Sequence, residues 1–161
     1  MGVAGCGKSS LGAALAEAEG MPLIEGDDFH SAGSREKMRV GIALTDADRK
    51  EWLELLGRQL HAAQGVVLPC SALKKRYRDV LRNASPTVRF VFLEIDRPEA
   101  MARVAGRAGA HFFSPDLVDS QFAALESPVG EAGVIRLDAT EPLDTLQRQA
   151  SAQLRALKVP A

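Results

Sequence analysis

The sequence predicts an α/β fold with a parallel sheet covered by helices on both faces, and three observations predict it. Strand-like and helix-like segments alternate from end to end of the 161 residues. The run Val66–Cys70 is apolar throughout and β-branched at its start, the pattern of a strand buried on both faces. A glycine-rich turn opens the first helix at Gly7. Size and composition agree with one ordinary globular domain: 46% apolar, 25% charged, and 20 Lys+Arg against 21 Asp+Glu for a net charge of −1. That balance excludes a disordered chain and a strongly basic nucleic-acid binder. Two cysteines, Cys6 and Cys70, cannot make a disulfide framework, so a reduced, cytoplasmic setting is expected. No apolar stretch approaches the ~20 residues of a membrane span.

After Lys8, the positions Leu11, Leu15 and Ala18 recur at helical spacing until Gly20. Pro22–Glu25 reads as a short strand. Thr45 with Asp48 marks a helix start, with Trp52, Leu53, Leu56, Leu60 and Ala63 on one face and Gly65 as its stop. The strand Val66–Cys70 follows, then a basic helix over 74–83 and a strand over 88–95. Pro98 sits in the first turn of a helix running to about Arg107. Ser114-Pro115 opens another, with Leu117, Val118, Phe122 and Leu125 inward. Val134–Leu137 is a last strand. Leu143, Leu146, Ala150, Leu154 and Leu157 line a closing helix. No repeats or linkers divide the chain, so 1–161 reads as one domain.

Gly2-Val3-Ala4-Gly5-Cys6-Gly7-Lys8-Ser9 fits G-x-x-x-x-G-K-[ST], the phosphate loop of nucleotide-binding proteins. Its glycines let successive N–H groups curl toward a phosphate, and the helix behind adds its positive end. The nucleotide-binding candidates are Gly2, Ala4, Gly5, Cys6, Gly7, Lys8, Ser9 and Ser10. Lys8 can reach the β- and γ-phosphates of ATP, and the Ser9 hydroxyl can ligate Mg²⁺. Cys6, at a helix N-terminus, is either a reactive thiol or simply a small residue the loop tolerates. Such a loop follows a strand, yet only Met1 precedes Gly2. The first strand is therefore expected to be missing from these residues, with Met1 internal to a longer protein. About four buried apolar side chains at ~1.5–3 kcal/mol each would go with it, roughly 6–12 kcal/mol. That rivals the ~5–15 kcal/mol that stabilises a whole domain.

Ligands bind beyond the carboxyl ends of parallel strands. The second strand ends there in Glu25-Gly26-Asp27-Asp28-Phe29-His30. A carboxylate beside a phosphate loop suits phosphoryl transfer to an alcohol, where it orients or deprotonates the acceptor hydroxyl. Asp27 and Asp28 both qualify, and Asp27 is also a metal-ligand candidate beside Ser9. His30 reads equally as a structural hydrogen bonder or a substrate contact. Arg103 and Arg107 lie one helical turn apart, which by spacing alone describes a solvated face.

Longer stretches carry a resemblance. Gly26-Asp27-Asp28-Phe29-His30, Lys37-Met38, Gly41, Leu44, Asp46, Asp48-Arg49 and Trp52-Leu53 resemble the G-D-x-x-H…K-M…G-x-P-L-x-D-x-D-R-x-x-W-L pattern of the gluconate kinases. Residues 70–82, from Cys70-Ser71-Ala72-Leu73-Lys74 to Arg82, are similar to that family's C-S-A-L-K-x-x-Y-R-D-x-L-R segment. His111-Phe112, Ser120-Gln121 and Leu125-Glu126-Ser127-Pro128 match its H-F…S-Q…L-E-x-P stretch. Ser31, Ser34-Arg35 and Ala43 depart from the pattern, and the spacing from Arg107 to His111 is one residue longer. These departures bear on substrate preference and lid geometry.

The resemblance implies a P-loop kinase-like three-layer fold with a small helical lid at about 103–126. It implies ATP-dependent phosphorylation of D-gluconate to 6-phosphogluconate, with Mg²⁺, in a cytoplasmic enzyme that forms a homodimer. It fixes Asp27 rather than Asp28 as the catalytic carboxylate, alongside Lys8. It turns Arg103 and Arg107 into lid cations that neutralise charge on the transferred phosphoryl group. Arg49 offers a two-pronged grip on the substrate carboxylate, with His30, Lys37 and Lys74 as further substrate contacts. Two other readings stay open: a related kinase of shikimate type acting on another sugar acid or polyol, and a nucleotide-binding protein without catalysis. Neither a nucleic acid nor a membrane is an expected partner.

Overall fold

A computed structural model of the chain describes residues 1–106 and 115–157. Arg107, His111, Phe112, Phe113 and Ser114 lie outside them, as does the middle of the expected lid. Seven α-helices and two regular strands follow in order among the described residues: α1 (Lys8–Glu19), α2 (Ala32–Arg39), α3 (Asp46–Ala62), α4 (Lys75–Ala84), β1 (Phe90–Glu94), α5 (Arg97–Gly106), α6 (Pro115–Ala124), β2 (Val134–Asp138) and α7 (Leu143–Ala156).

Each helix has a local cause. Gly7 and Gly20 bracket α1 in left-handed conformations, and the Gly20 N–H closes back onto Ala16 and Glu17. Helix α3 starts with a capping box: Thr45 Oγ1 accepts from the Asp48 N–H, and the Asp48 carboxylate accepts from the Thr45 N–H. Helix α2 has no apolar stripe, so periodicity passes over it. Its signal is the cap, in which Ser31 Oγ accepts from the Ser34 N–H.

β1 and β2 pair in parallel with Phe90 opposite Val134 and Glu94 opposite Asp138. Residues 22–26 run beside 66–70 through the Leu23–Val67 bridge and the Gly26 N–H to Pro69 carbonyl bond. Met1 and Gly2 lie between these halves. The Leu93 N–H donates to the Met1 carbonyl at 3.0 Å, and the Gly2 N–H to the Ser71 carbonyl at 3.3 Å. Beside Met1 lies a cavity of about 680 Å³, lined by Val66–Cys70, Val88–Val91 and Leu93 together with Leu11, Leu15, Leu60 and Leu81.

The sheet separates two apolar cores. On one face Leu11, Leu15, Leu93, Ile135, Leu137, Leu146 and Ala150 pack under α1 and α7; on the other, Trp52, Leu56, Leu81 and Phe90 pack under α3 and α4. Gly12 lets α1 approach closely, since a Cβ there would stand 2.4 Å from Pro69 Cγ. These contacts give the three layers, and the phosphate loop and the acidic turn meet at one end of the sheet through Ser9 and Glu25.

Candidate active site

The phosphate loop is held open by its own backbone. Gly2, Gly5 and Gly7 all have positive φ, and a Cβ on Gly5 would lie 2.8 Å from the Ala100 carbonyl of α5. Val3 and Cys6 are buried beneath it. Lys8 Nζ rests on the Val3 carbonyl at 2.9 Å. The Ala4 N–H is engaged by Gln121 Oε1 at 2.7 Å, which commits that nucleotide-binding candidate to α6. Ser9 Oγ donates to the Glu25 carboxylate at 3.2 Å, joining the loop to the acidic turn two residues before Asp27. Burial pushes Glu25 above the usual carboxylate range; Asp27 and Asp28 push the same way, while Ser9 and Lys8 oppose them.

The acidic turn is a 3₁₀ turn, Gly26–Phe29, clamped from below. Trp52 Nε1 donates to the Gly26 carbonyl at 2.7 Å, and Arg35 donates to the Asp28 and His30 carbonyls. Arg35, a departure from the family pattern, is thus a brace of the turn. Asp27 projects into solvent with its side chain 67% exposed, and His30 Nε2 lies 3.7 Å from its carboxylate. The imidazole itself is buried and stacks on Trp52 with ring centroids 4.5 Å apart. Burial, with Arg49 and Arg35 adding, pulls its pKa down to about 4 against the pull of Asp27, so it is neutral near pH 7.

A second hollow of about 200 Å³ opens at the start of α3, lined by Ala43, Leu44, Asp46, Arg49, Lys74, Tyr77 and Gln121 among others. Arg49 packs its guanidinium over the Tyr77 ring at 5.8 Å and senses Asp27, Asp46 and Asp48. Burial lowers its pKa, but it stays a cation facing a polar pocket. Asp46 is held by the Tyr77 hydroxyl, Lys74 and Arg76, which together bring it down to about 2, while burial and Asp46 push Tyr77 up to about 12. Lys37 is paired with Asp48 at 2.7 Å and Lys74 with Asp46 at 3.0 Å. Both lysines expected to contact substrate are therefore ion-paired to the first turn of α3.

Arg103 stands apart. It binds Glu99 at 2.7 Å and the Ala139 carbonyl at 3.0 Å, which ties α5 to the end of β2. Its expected partner Arg107 lies outside the described residues. Glu25, Tyr77 and Gln121, each inside a quoted motif, join the site without having been named as site residues. Glu25 sits in a quoted motif, but nothing local shows that Ser9 folds onto it. Gln121 is 117 residues from its loop partner.

The oxygens of Ser9, Glu25 and Asp27 are the hard donors a Mg²⁺ ion takes. No group of three or more His, Cys, Asp or Glu forms a closed metal cage among the described residues.

Comparison with known proteins finds close relatives of the chain. The shikimate kinase family model matches residues 4–121. The chain is 38% identical to the thermosensitive gluconokinase of Escherichia coli K12, covering 98% of this chain and 87% of that protein. It is 40% identical to the gluconokinase of Gluconobacter oxydans 621H, over 91% of this chain and 84% of that one. Among solved structures, a gluconokinase from Sinorhizobium meliloti 1021 superposes with a TM-score of 0.90 at 44% identity, covering 98% of this chain and 90% of that one.

Proposed function

This chain belongs to the gluconokinase family, and from that premise we propose that it transfers the γ-phosphoryl group of ATP to the terminal hydroxyl of D-gluconate, giving 6-phospho-D-gluconate and ADP. The observation that carries the site assignment is the Ser9–Glu25 hydrogen bond, which brings the phosphate loop and the acidic turn together.

The residues divide the work by chemistry. The backbone of Gly5–Ser9 and the Lys8 ammonium receive the β- and γ-phosphates. Lys8 exchanges its contact with Val3 for one with phosphate. The gluconate carboxylate goes to Arg49, whose guanidinium is fixed over Tyr77 and is the cation of the hollow least committed to a carboxylate. Its terminal hydroxyl then points at Asp27. The hydroxyl oxygen forms a bond to the γ-phosphorus, the bond from that phosphorus to the β-bridging oxygen breaks, and the hydroxyl proton goes to Asp27. Neutral His30 beside Asp27 adds a hydrogen-bonding edge without a second positive charge. Ser9 and Asp27 would hold Mg²⁺, which supplies charge neutralisation on the phosphates. Arg103 and Arg107 complete the proposal as cations of the lid. It extends to a cytoplasmic homodimer, as the resemblance implies.

One observation favours a neighbouring substrate: Ala43, which departs from the family pattern, lines the acceptor hollow. The test is the purified protein with ATP and a panel of sugar acids and polyols that includes gluconate and shikimate, products read by phosphorus-31 NMR. A 6-phosphate monoester from gluconate with the highest kcat/KM of the panel supports the proposal. Turnover confined to another acceptor replaces gluconate, and nucleotide binding without any turnover removes the kinase reading.

A further inference from the structure

The Val3–Ala4 peptide of the phosphate loop is gripped at both ends. Its N–H donates to Gln121 Oε1 at 2.7 Å in a buried setting, and its carbonyl accepts from Lys8 Nζ at 2.9 Å. A trans peptide is planar with N–H and C=O opposed, so fixing one fixes the other. A backbone N–H can only donate, so the amide oxygen of Gln121 faces the loop and its two N–H donors point elsewhere. Gln121 is buried yet also lines the acceptor hollow beside Arg49 and Tyr77. It stands on α6, which packs against α5, the helix whose Ala100 carbonyl supports Gly5.

We propose that Gln121 is a positioning residue that locks the Val3–Ala4 peptide, sets the resting place of Lys8 and ties the acceptor hollow to the nucleotide loop. The inference rests on the reading of the loop as a nucleotide site and adds a specific residue to it. Without the glutamine oxygen the Ala4 N–H is buried and unpaired, and the peptide turns to find a partner. The Val3 carbonyl then leaves Lys8, and the loop loses the shape that receives phosphate.

Two substitutions separate this role from packing. Gln121→Met keeps the length and removes the acceptor; Gln121→Glu keeps an acceptor oxygen. Calorimetric titration with ADP reads the loop directly, and steady-state kinetics reads KM for ATP separately from kcat and from KM for gluconate. The expected result is a roughly tenfold rise in ADP Kd and ATP KM for Gln121→Met, with Gln121→Glu within about threefold of the parent. Should Gln121→Met not fold, as shown by thermal unfolding, the Glu variant decides: near-parent ADP binding supports the role, and a tenfold loss overturns it. Equal ADP affinity in parent and Gln121→Met overturns it, as does equal weakening in both variants. If the parent binds ADP without phosphorylating gluconate, the substrate reading fails while the titration still decides Gln121. If the parent does not bind ADP, both fail.

Discussion

His30 is 5% exposed, stacked on Trp52, and its Nδ1 is buried without a hydrogen-bond partner among the described residues. Such a ring resists protonation, and its pKa falls from 6.5 to about 4. The unfolded chain therefore binds more protons than the folded one between those values, so folding stability drops as pH falls from about 6.5 toward 4. The slope cannot exceed about 1.4 kcal/mol per pH unit for one group. Thermal unfolding across pH 4–7 should show this decline, and His30→Gln should flatten it. A parent profile unchanged by that substitution would remove His30 as the cause. The residue was legible as a site member but not as a buried neutral base, because burial by Trp52, 22 positions away, is a tertiary fact. The same holds for Lys37 and Lys74, whose charges the sequence offers to substrate and the fold spends on Asp48 and Asp46.

At the scale of elements, α4 matters most. The basic residues of 74–82 read as a solvated face or as partners for acidic groups, and Arg78, 0% exposed and paired with Glu131, is the second. Its guanidinium donates to the carbonyls of Ala72, Leu73 and Glu126 and to Glu131, which pins the backbone around Ala72, where φ is +43°. Arg78→Met leaves Glu131 and three carbonyls short of a donor and should cost about 3–5 kcal/mol of stability by denaturant titration. A loss below about 1 kcal/mol would mean that water replaces the guanidinium.

For the whole molecule, alternation of strand and helix signals was enough to define the layers, and the capping box and Gly20 located the ends of α3 and α1. The phosphate loop and the acidic turn were legible because each is a contiguous motif. What joins them was not: the Ser9–Glu25, Ala4–Gln121 and Arg49–Tyr77 contacts span 16, 117 and 28 residues and arise only when the sheet forms. Helix α2 escaped because it has a cap but no stripe. The central claim is that the loop and Asp27 serve one reaction across one cleft. Its most direct measurement is kcat with gluconate alongside ADP affinity in Asp27→Asn, a change that keeps size and removes the proton acceptor. The expected result is a fall in kcat of about 100-fold or more, with ADP Kd titrated in the absence of Mg²⁺ unchanged within about twofold. Near-parental turnover in that variant would contradict it.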